Sequence, residues 1–280
     1  MSVPTSAPPM SRTEVDRLER AVNRDGIAGL PGAFPPEWAD ELREDFEVLF
    51  AEARARPRGT ISRGPQRHYF AVPPERLRGF LDLVAHPAVT ALSERMLGPD
   101  WEVVEVGFDV PLPGAQDQPW HRDFEMPVVT RERRVLTSLA FNVPAVAVTP
   151  EMGPLEIVPG SQWEGGDDFA HGMFPPAERA GDYAARAQPR LPRLGDASVR
   201  TGLTMHRGTR NRSATARPVL VLGTVAPEVE TAGAHDLMLT RAYADSLPAG
   251  VRRHLRCTLL VDELVPVRQR HDIEGLLMGG

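Results

Sequence analysis

At Trp101 the spacing of the apolar residues changes, and that change constrains the fold more than any other feature of the chain. Before it, apolar side chains recur every three or four positions, as one face of a helix requires. Ser11 or Thr13 can cap a helix carrying Val15, Leu18 and Val22, and Asp25-Gly26 would end it. Residues 26–30 read as a short strand, and Pro35-Pro36 opens a second helix through Trp38, Leu42, Phe46, Val48, Leu49 and Phe50. Two further helical stretches, 74–84 and 87–97, each begin with a proline near the first turn. From residue 101 the pattern is different. WEVVEVGFDV (101–110) and the stretches 134–143, 155–158, 197–205 and 218–226 are short, β-branched runs. Gly- and Pro-containing turns separate them, without regular helices in between. That arrangement predicts an antiparallel sandwich or barrel rather than a doubly wound parallel sheet. Residues 59–70 (GTISRGPQRHYF) read as a loop, 165–191 as a polar lid or rim insertion, and 240–256 as a final helix.

Composition removes several function classes. The 280 residues carry 32 basic and 38 acidic side chains, a net charge of -6, and every basic one is arginine. Acidic and basic residues are interspersed, so no basic stripe points to nucleic acid or an anionic membrane surface. A single cysteine, Cys257, excludes an intrachain disulfide and a cysteine metal cluster, and points to a reducing compartment. No apolar run approaches the ~18 residues that span a bilayer, and MSVPTSAPPMSR lacks the apolar segment of a signal peptide. The expectation is a cytoplasmic protein with a disordered tail (1–10), acting on a small molecule as a monomer or homodimer.

The chemistry centres on PWHRDF. On a strand, His121 and Asp123 project from the same face, with Cα atoms roughly 7 Å apart, while Arg122 points away. An imidazole and a carboxylate so placed make two corners of the facial triad of non-haem iron oxygenases, and a second histidine must supply the third. A kinase HRD loop is excluded: Val128 stands where its asparagine would be, and the chain has no lysine to pair the ATP phosphates. Of the eight histidines, His171 and His271 read as solvated, His86 as part of a helix start, and His68, His235 and His254 lack a second ligand at metal spacing. His206 differs: it ends the predicted strand at 197–205, and a polar turn follows that leads to Arg217 at the start of the next strand. An arginine there can grip a carboxylate with two parallel hydrogen bonds, although an ordinary surface ion pair would explain it as well.

Four segments in this order carry a family resemblance: WHRD (120–123), GPLEIVPGSQ (153–162), GD (195–196) and HRGTRNRSATARP (206–218). They are similar to the WHxD, GxLxxxPGSH, GD and HxxxxNxSxxxR segments of the phytanoyl-CoA dioxygenase family, a branch of the Fe(II)/2-oxoglutarate dioxygenases. The resemblance covers about residues 100–226. It implies a mainly β fold, a double-stranded β-helix (jelly roll, cupin-like) with a helical N-terminal region. The chain would then be one domain over 11–280: helical support to about 100, a jelly-roll core over about 101–228, and a C-terminal helical segment from about 229. The resemblance also implies that His121, Asp123 and His206 hold Fe(II). Arg217 would bind the far carboxylate of 2-oxoglutarate, with Asn211 and Ser213 near that end. O2 would be the second co-substrate, succinate and CO2 the co-products. Gln162 departs from the family's histidine, which is not an iron ligand.

A carboxylate at Asp123, where related halogenases have a small residue, favours hydroxylation of an unactivated C–H bond over halogenation. Desaturation, cyclisation or epimerisation by the same site remain alternatives, as does a cupin-like metal hydrolase or isomerase. Gln118, Trp120, Phe108 and Arg67 are candidates for contact with substrate or the pocket. An arginine-only, Ala/Pro/Gly-rich composition is that of GC-rich coding, a background in which such enzymes often tailor secondary metabolites.

Overall fold

The computed structural model describes residues 9–227, 229, 237–257 and 259–267. Most of the expected tail, together with His235 and His271, lies outside the described residues.

Four helices form the N-terminal support. In α1 (Arg12–Asp25) the Ser11 side chain accepts from the Glu14 N–H, Leu18 and Val22 face inward, and Gly26 closes the helix. Gly26 has φ +78°, and a Cβ there would collide with Thr204 Oγ1. Gly26→Ala therefore combines left-handed strain with a clash and is expected to cost about 1–3 kcal/mol, readable as a lower denaturant midpoint. Helix α2 (Pro36–Arg54) buries Trp38, Leu42, Phe46 and Leu49 at helical spacing. The stretch 74–84 is a 3-10 turn (Pro74–Arg76) followed by a short α3 (Phe80–Val84) rather than one helix. Helix α4 (Pro87–Leu97) begins as expected: His86 Nδ1 accepts from the Ala88 N–H at 3.1 Å, and its Nε2 donates to the Ala33 carbonyl at 2.9 Å.

The strands are β1 (Ile27–Leu30), β2 (Ile61–Ser62), β3 (Arg67–Ala71), β4 (Glu102–Pro111), β5 (Ser138–Pro144), β6 (Leu155–Ile157), β7 (Gln188–Pro189), β8 (Ala197–Arg200), β9 (His206–Gly208) and β10 (Val219–Val225). Seven of them make one antiparallel sheet in the order β1-β8-β5-β10-β4-β3-β2, and β7-β6-β9 make a smaller one. Strand alternation then sorts the side chains of the large sheet. Phe108, Val110, Phe141, Val143, Leu220 and Leu222 join the core with the N-terminal helices. Asp109, Asn142 and Arg200, at the alternate positions, share the other face. Two sheets with helices against the outer face of the larger one make the jelly roll expected above.

Several elements differ from the sequence reading. Residues 59–70 hold β2 and β3 rather than a loop. Arginines and glycines there mask an alternation that buries Tyr69 and Ala71 on one face and Phe70 on the other. The stretch 134–143 starts as a strand only at Ser138, because Arg134, at φ +54°, ends a short helix α5 (Val128–Arg133). The run 197–205 is β8 plus a turn. Within that turn the Gly202 carbonyl accepts from Asp123 N–H at 2.8 Å. The insertion 165–191 contains α6 (Ala180–Arg186) and β7. Pro248 splits the final helix into α7 (Arg241–Ser246) and α8 (Ala249–Arg252). The described part of the C-terminal segment also contains a parallel pair, β11 (Met238–Thr240) with β12 (Leu259–Val261). No helix among the described residues is long and apolar enough to cross a membrane.

Candidate metal centre

His121, Asp123 and His206 converge: one ligand atom from each lies within 4.8 Å of the others. The convergence comes from a single backbone pairing. His121 N–H donates to His206 O at 3.1 Å and His206 N–H to His121 O at 2.9 Å, so the two histidines sit directly opposite on antiparallel extended segments. Their ring centroids are 4.4 Å apart. Each ring is oriented by its own chain. His121 Nδ1 faces the Pro119 carbonyl at 2.9 Å and His206 Nδ1 faces the Thr204 carbonyl at 2.8 Å. A carbonyl only accepts, so each Nδ1 carries the proton and each Nε2 keeps its lone pair for a metal.

Asp123 is divided between two tasks. Arg200, buried on β8, donates from Nη1 to Oδ2 at 2.7 Å. Oδ1 then remains on the histidine side, 3.2 Å from His206 Nε2. Burial opposes ionisation of Asp123, but Arg200, followed by the contact with His206, outweighs it and holds the carboxyl well below the usual range. Burial, reinforced by His206, holds the His121 imidazolium well below its ordinary 6.5. Two imidazoles and one carboxylate, with an arginine fixing the spare oxygen, fit a divalent metal of the kind that 2-His-1-carboxylate sites take.

The titration has a consequence for stability without metal. His121 binds its proton more weakly folded than unfolded, so the unfolded chain holds more protons below 6.5 and stability falls as pH drops through that value. Asp123, also lowered, adds a loss in the same direction as pH falls below its ordinary 3.8 towards its lower folded value. Unfolding curves of metal-free protein between pH 7.5 and 5, approximate limits set by the histidine window, should show this slope, and His121→Gln should flatten it.

Arg217 enters β10 as expected and is buried at 4% exposure. Its Nε has no partner among the described residues. Burial and the nearby Arg67 push its pKa down to about 10, so it remains charged at neutral pH. Asn211 and Ser213 are occupied within their own loop and against the end of β4. Asn211 Nδ2 donates to the Pro111 and Thr215 carbonyls, and its Oδ1 accepts from both the N–H and hydroxyl of Ser213. They shape the turn that delivers Arg217.

The pocket candidates divide. Arg67 is buried beside Arg217. Gln118 clamps β9, its Oε1 accepting from Gly208 N–H at 2.9 Å. Trp120 lies in a satellite core with Val158, Phe169, Tyr183 and Met205, capped by the Arg207 guanidinium 4.5 Å above its ring. Phe108 does not line the cavity. Its ring packs 5.3 Å from Phe46 and 5.5 Å from Phe70 on the helix side of the sheet, and strand alternation gives the inner position to Asp109.

Several positions escaped the sequence. Arg200 carried no motif, and only the observation that a facial carboxylate needs a partner for its spare oxygen could have raised it. Ser161 of the PGS turn donates to Val158 O and accepts from Met205 N–H at 2.8 Å, bracing the residue before His206. Gln162, where the family has histidine, donates to Asn23 O at 2.9 Å and so secures the end of α1. Phe174 of the insertion reaches His121, ring to ring at 6.0 Å. Arg122 bolts that insertion down, its backbone N–H donating to Met173 O and its guanidinium lying over the face of Phe169.

Comparison with known proteins agrees with this geometry. The family model for phytanoyl-CoA dioxygenase (PhyH) matches residues 22–219, which include all three metal-site residues and Arg217. Among solved structures, the non-heme alpha ketoglutarate dependent carbocyclase SnoK from nogalamycin biosynthesis is 20% identical, with TM-score 0.62 over 80% of this chain and 87% of its own. EctD from S. alaskensis, with 2-oxoglutarate and 5-hydroxyectoine, is 19% identical, with TM-score 0.60 over 80% of each chain. The epimerase SnoN, in complex with Fe3+, alpha ketoglutarate and nogalamycin RO, is 19% identical, with TM-score 0.61 over 96% of this chain and 99% of its own.

Proposed function

The chain belongs to the phytanoyl-CoA dioxygenase family and is an oxygenase of the iron- and 2-oxoglutarate-dependent class; on that premise we propose that it hydroxylates an unactivated C–H bond of a small molecule. In this reading His121 Nε2, His206 Nε2 and Asp123 Oδ1 hold the iron, and Arg217 takes the far carboxylate of 2-oxoglutarate. The observation that carries it is the His121–Asp123–His206 cluster, its histidines buried and its aspartate half-buried, whose imidazole Nδ1 protons are already committed to backbone carbonyls.

Iron and 2-oxoglutarate, when bound, would activate O2 for C–H cleavage, one oxygen atom passing to succinate and the other to the product, with CO2 released. The protein's contribution is geometric and electrostatic. Arg200 keeps Asp123 ionised and turned, so the carboxylate has no proton to lose when metal enters. The backbone pair between His121 and His206 fixes the angle between the two imidazoles without help from flexible side chains. Phe174 covers one side of His121 and limits water there.

A second reading, cyclisation or epimerisation at the same centre, is supported by the overlap with SnoK and SnoN. Succinate release from 2-oxoglutarate, dependent on Fe(II) and O2 and stimulated by a small-molecule substrate, tests the class. Product mass separates the readings: a gain of one oxygen supports hydroxylation, the loss of two hydrogens cyclisation, and an unchanged mass epimerisation. Turnover without O2 would overturn both.

A further inference from the structure

The inner face of the large sheet carries more polar chemistry than the metal and Arg217 use. Leu220 and Leu222 of β10 are buried with the helices, whereas Val219 and Val221, which alternate with them, are half-buried and face inward. Val221 pairs with Gly107 on β4 and Asn142 on β5, and Gly223 pairs with Glu105 and Ala140. The Arg217 end of this wall is the Val219–Asp109 pair, where Arg217 Nη2 lies 4.0 Å from Asp109 Oδ2. Glu105 stands four residues further along β10, roughly 13 Å away. That is the level of Arg200, which pairs with Ala140 and holds Asp123.

Three features aim Glu105. Gly223 and Thr224 pair with Glu105 and Val103, so Val104 is an extra residue and β4 carries a bulge there, a device that re-aims the neighbouring side chain. Gly223 gives that side chain room: a Cβ there would lie 2.8 Å from Glu105 Cβ and 2.9 Å from its Oε2, so Glu105 lies across β10. Tyr69, whose hydroxyl lies over Gly107, donates to Glu105 Oε1 at 2.8 Å. A carboxylate accepts several hydrogen bonds at once, and this one is held in a fixed direction. Asn142 is the second polar group of the wall. It is 9% exposed, and its Nδ2 is buried with no partner among the described residues. An amide left so is a cost to folding that a ligand oxygen removes. Asn142 is the diagonal neighbour of Arg200 across the β5–β8 ladder, roughly 7–8 Å away.

We propose that Glu105, oriented by Tyr69, and Asn142 are specificity-determining residues for the substrate. They select a neutral or cationic molecule that presents a hydroxyl or an amine to Glu105 and an oxygen acceptor to Asn142, rather than a carboxylate or phosphate. The proposal rests on the reading that Arg217 takes the far carboxylate of 2-oxoglutarate, which leaves the Gly223 end of the wall to the substrate. An ammonium group gains a charged contact with Glu105, and an anion there meets a like charge. Arg200 offers that anion no free counter-charge, because Asp123 already neutralises it.

The test uses Mn(II)-loaded protein with 2-oxoglutarate and three probes built on one carbon ring: a cyclohexane with adjacent hydroxyls, the matching amino alcohol and the matching hydroxy carboxylate. Mn(II) speeds the proton relaxation of any probe held beside it, and titration gives each Kd. In wild type the amino alcohol should bind tightest and the hydroxy carboxylate weakest, the two differing by roughly tenfold or more, the size of one charged contact. Glu105→Gln should weaken the amino alcohol roughly tenfold, move the diol less and strengthen the hydroxy carboxylate. Asn142→Leu should weaken the diol and the amino alcohol alike. It should also melt higher than wild type, because it removes a buried donor that has no partner.

A wild type that prefers the hydroxy carboxylate, or a Glu105→Gln protein that shifts all three probes alike, would overturn the proposal and leave Glu105 a structural role under Tyr69. So would an Asn142→Leu protein that binds the diol as wild type does. Should no probe bind wild type, melting decides: Asn142→Leu melting above wild type supports an amide kept for a ligand, and melting at or below it overturns the proposal. The methylene protons of 2-oxoglutarate are read in the same samples. If Mn(II) relaxes them equally in wild type and Arg217→Ala, the underlying reading of Arg217 fails, an outcome separate from the pattern among the probes.

Discussion

Asp123→Ala is expected to abolish substrate oxidation and to leave the purified protein with little bound iron. Two effects combine. One of three ligands is lost, and Arg200, whose Nη1 donates to Asp123 Oδ2 at 2.7 Å, becomes a buried cation without its counter-ion. Breaking a buried pair from one side costs about 3 kcal/mol or more, so a lower melting temperature should accompany the loss of iron. Asp123→Asn separates the two causes: it keeps the shape but removes the charge, and should bind metal poorly while folding better than the alanine variant. Metal content after anaerobic desalting, with succinate yield, checks both. Wild-type iron and turnover in Asp123→Ala would contradict the ligand assignment.

Arg217→Ala should raise the concentration of 2-oxoglutarate needed for half-maximal turnover by about 100-fold or more, the equivalent of losing a bidentate charged contact. Its guanidinium is buried, and burial together with Arg67 already pushes its pKa down to about 10, so the pocket holds a charge that solvent screens little. The loss should appear mainly in KM, because the metal ligands are untouched, and saturating 2-oxoglutarate should recover much of kcat. A half-saturation concentration unchanged from wild type would remove Arg217 from the co-substrate site.

What the sequence disclosed follows a physical division. Helices announced themselves because their signals are local: the Ser11 cap, the prolines at Pro36 and Pro87, and the apolar stripe of α2 each depend on neighbours within a turn or two. The metal site was legible for a related reason. His121 and Asp123 lie two apart in the chain, and the spacing from His206 to Arg217 is fixed by one turn and one strand. Positions that act across the sheet were hidden. Arg200 meets Asp123 only because the Asp123 N–H bonds to the Gly202 carbonyl just past β8, and Arg67 meets Asp109 only because β3 pairs with β4. Phe108 failed through parity. It is an aromatic on the right strand, yet its neighbour Asp109 faces inward, and nothing local states which alternate face the helices cover. The strand in 59–70 was obscured by its arginines, one of which, Arg67, is the most deeply buried charge in the cluster beside Arg217.

The most direct test of the iron and 2-oxoglutarate centre is an anaerobic visible spectrum, recorded as Fe(II) and then 2-oxoglutarate are added to the protein. A weak metal-to-ligand charge-transfer band that develops only with both, and is absent from His206→Ala, is the expected result. Iron bound at His121, Asp123 and His206 with no band on adding 2-oxoglutarate would contradict the centre proposed here, and would bring metal-dependent hydrolysis or isomerisation forward in its place.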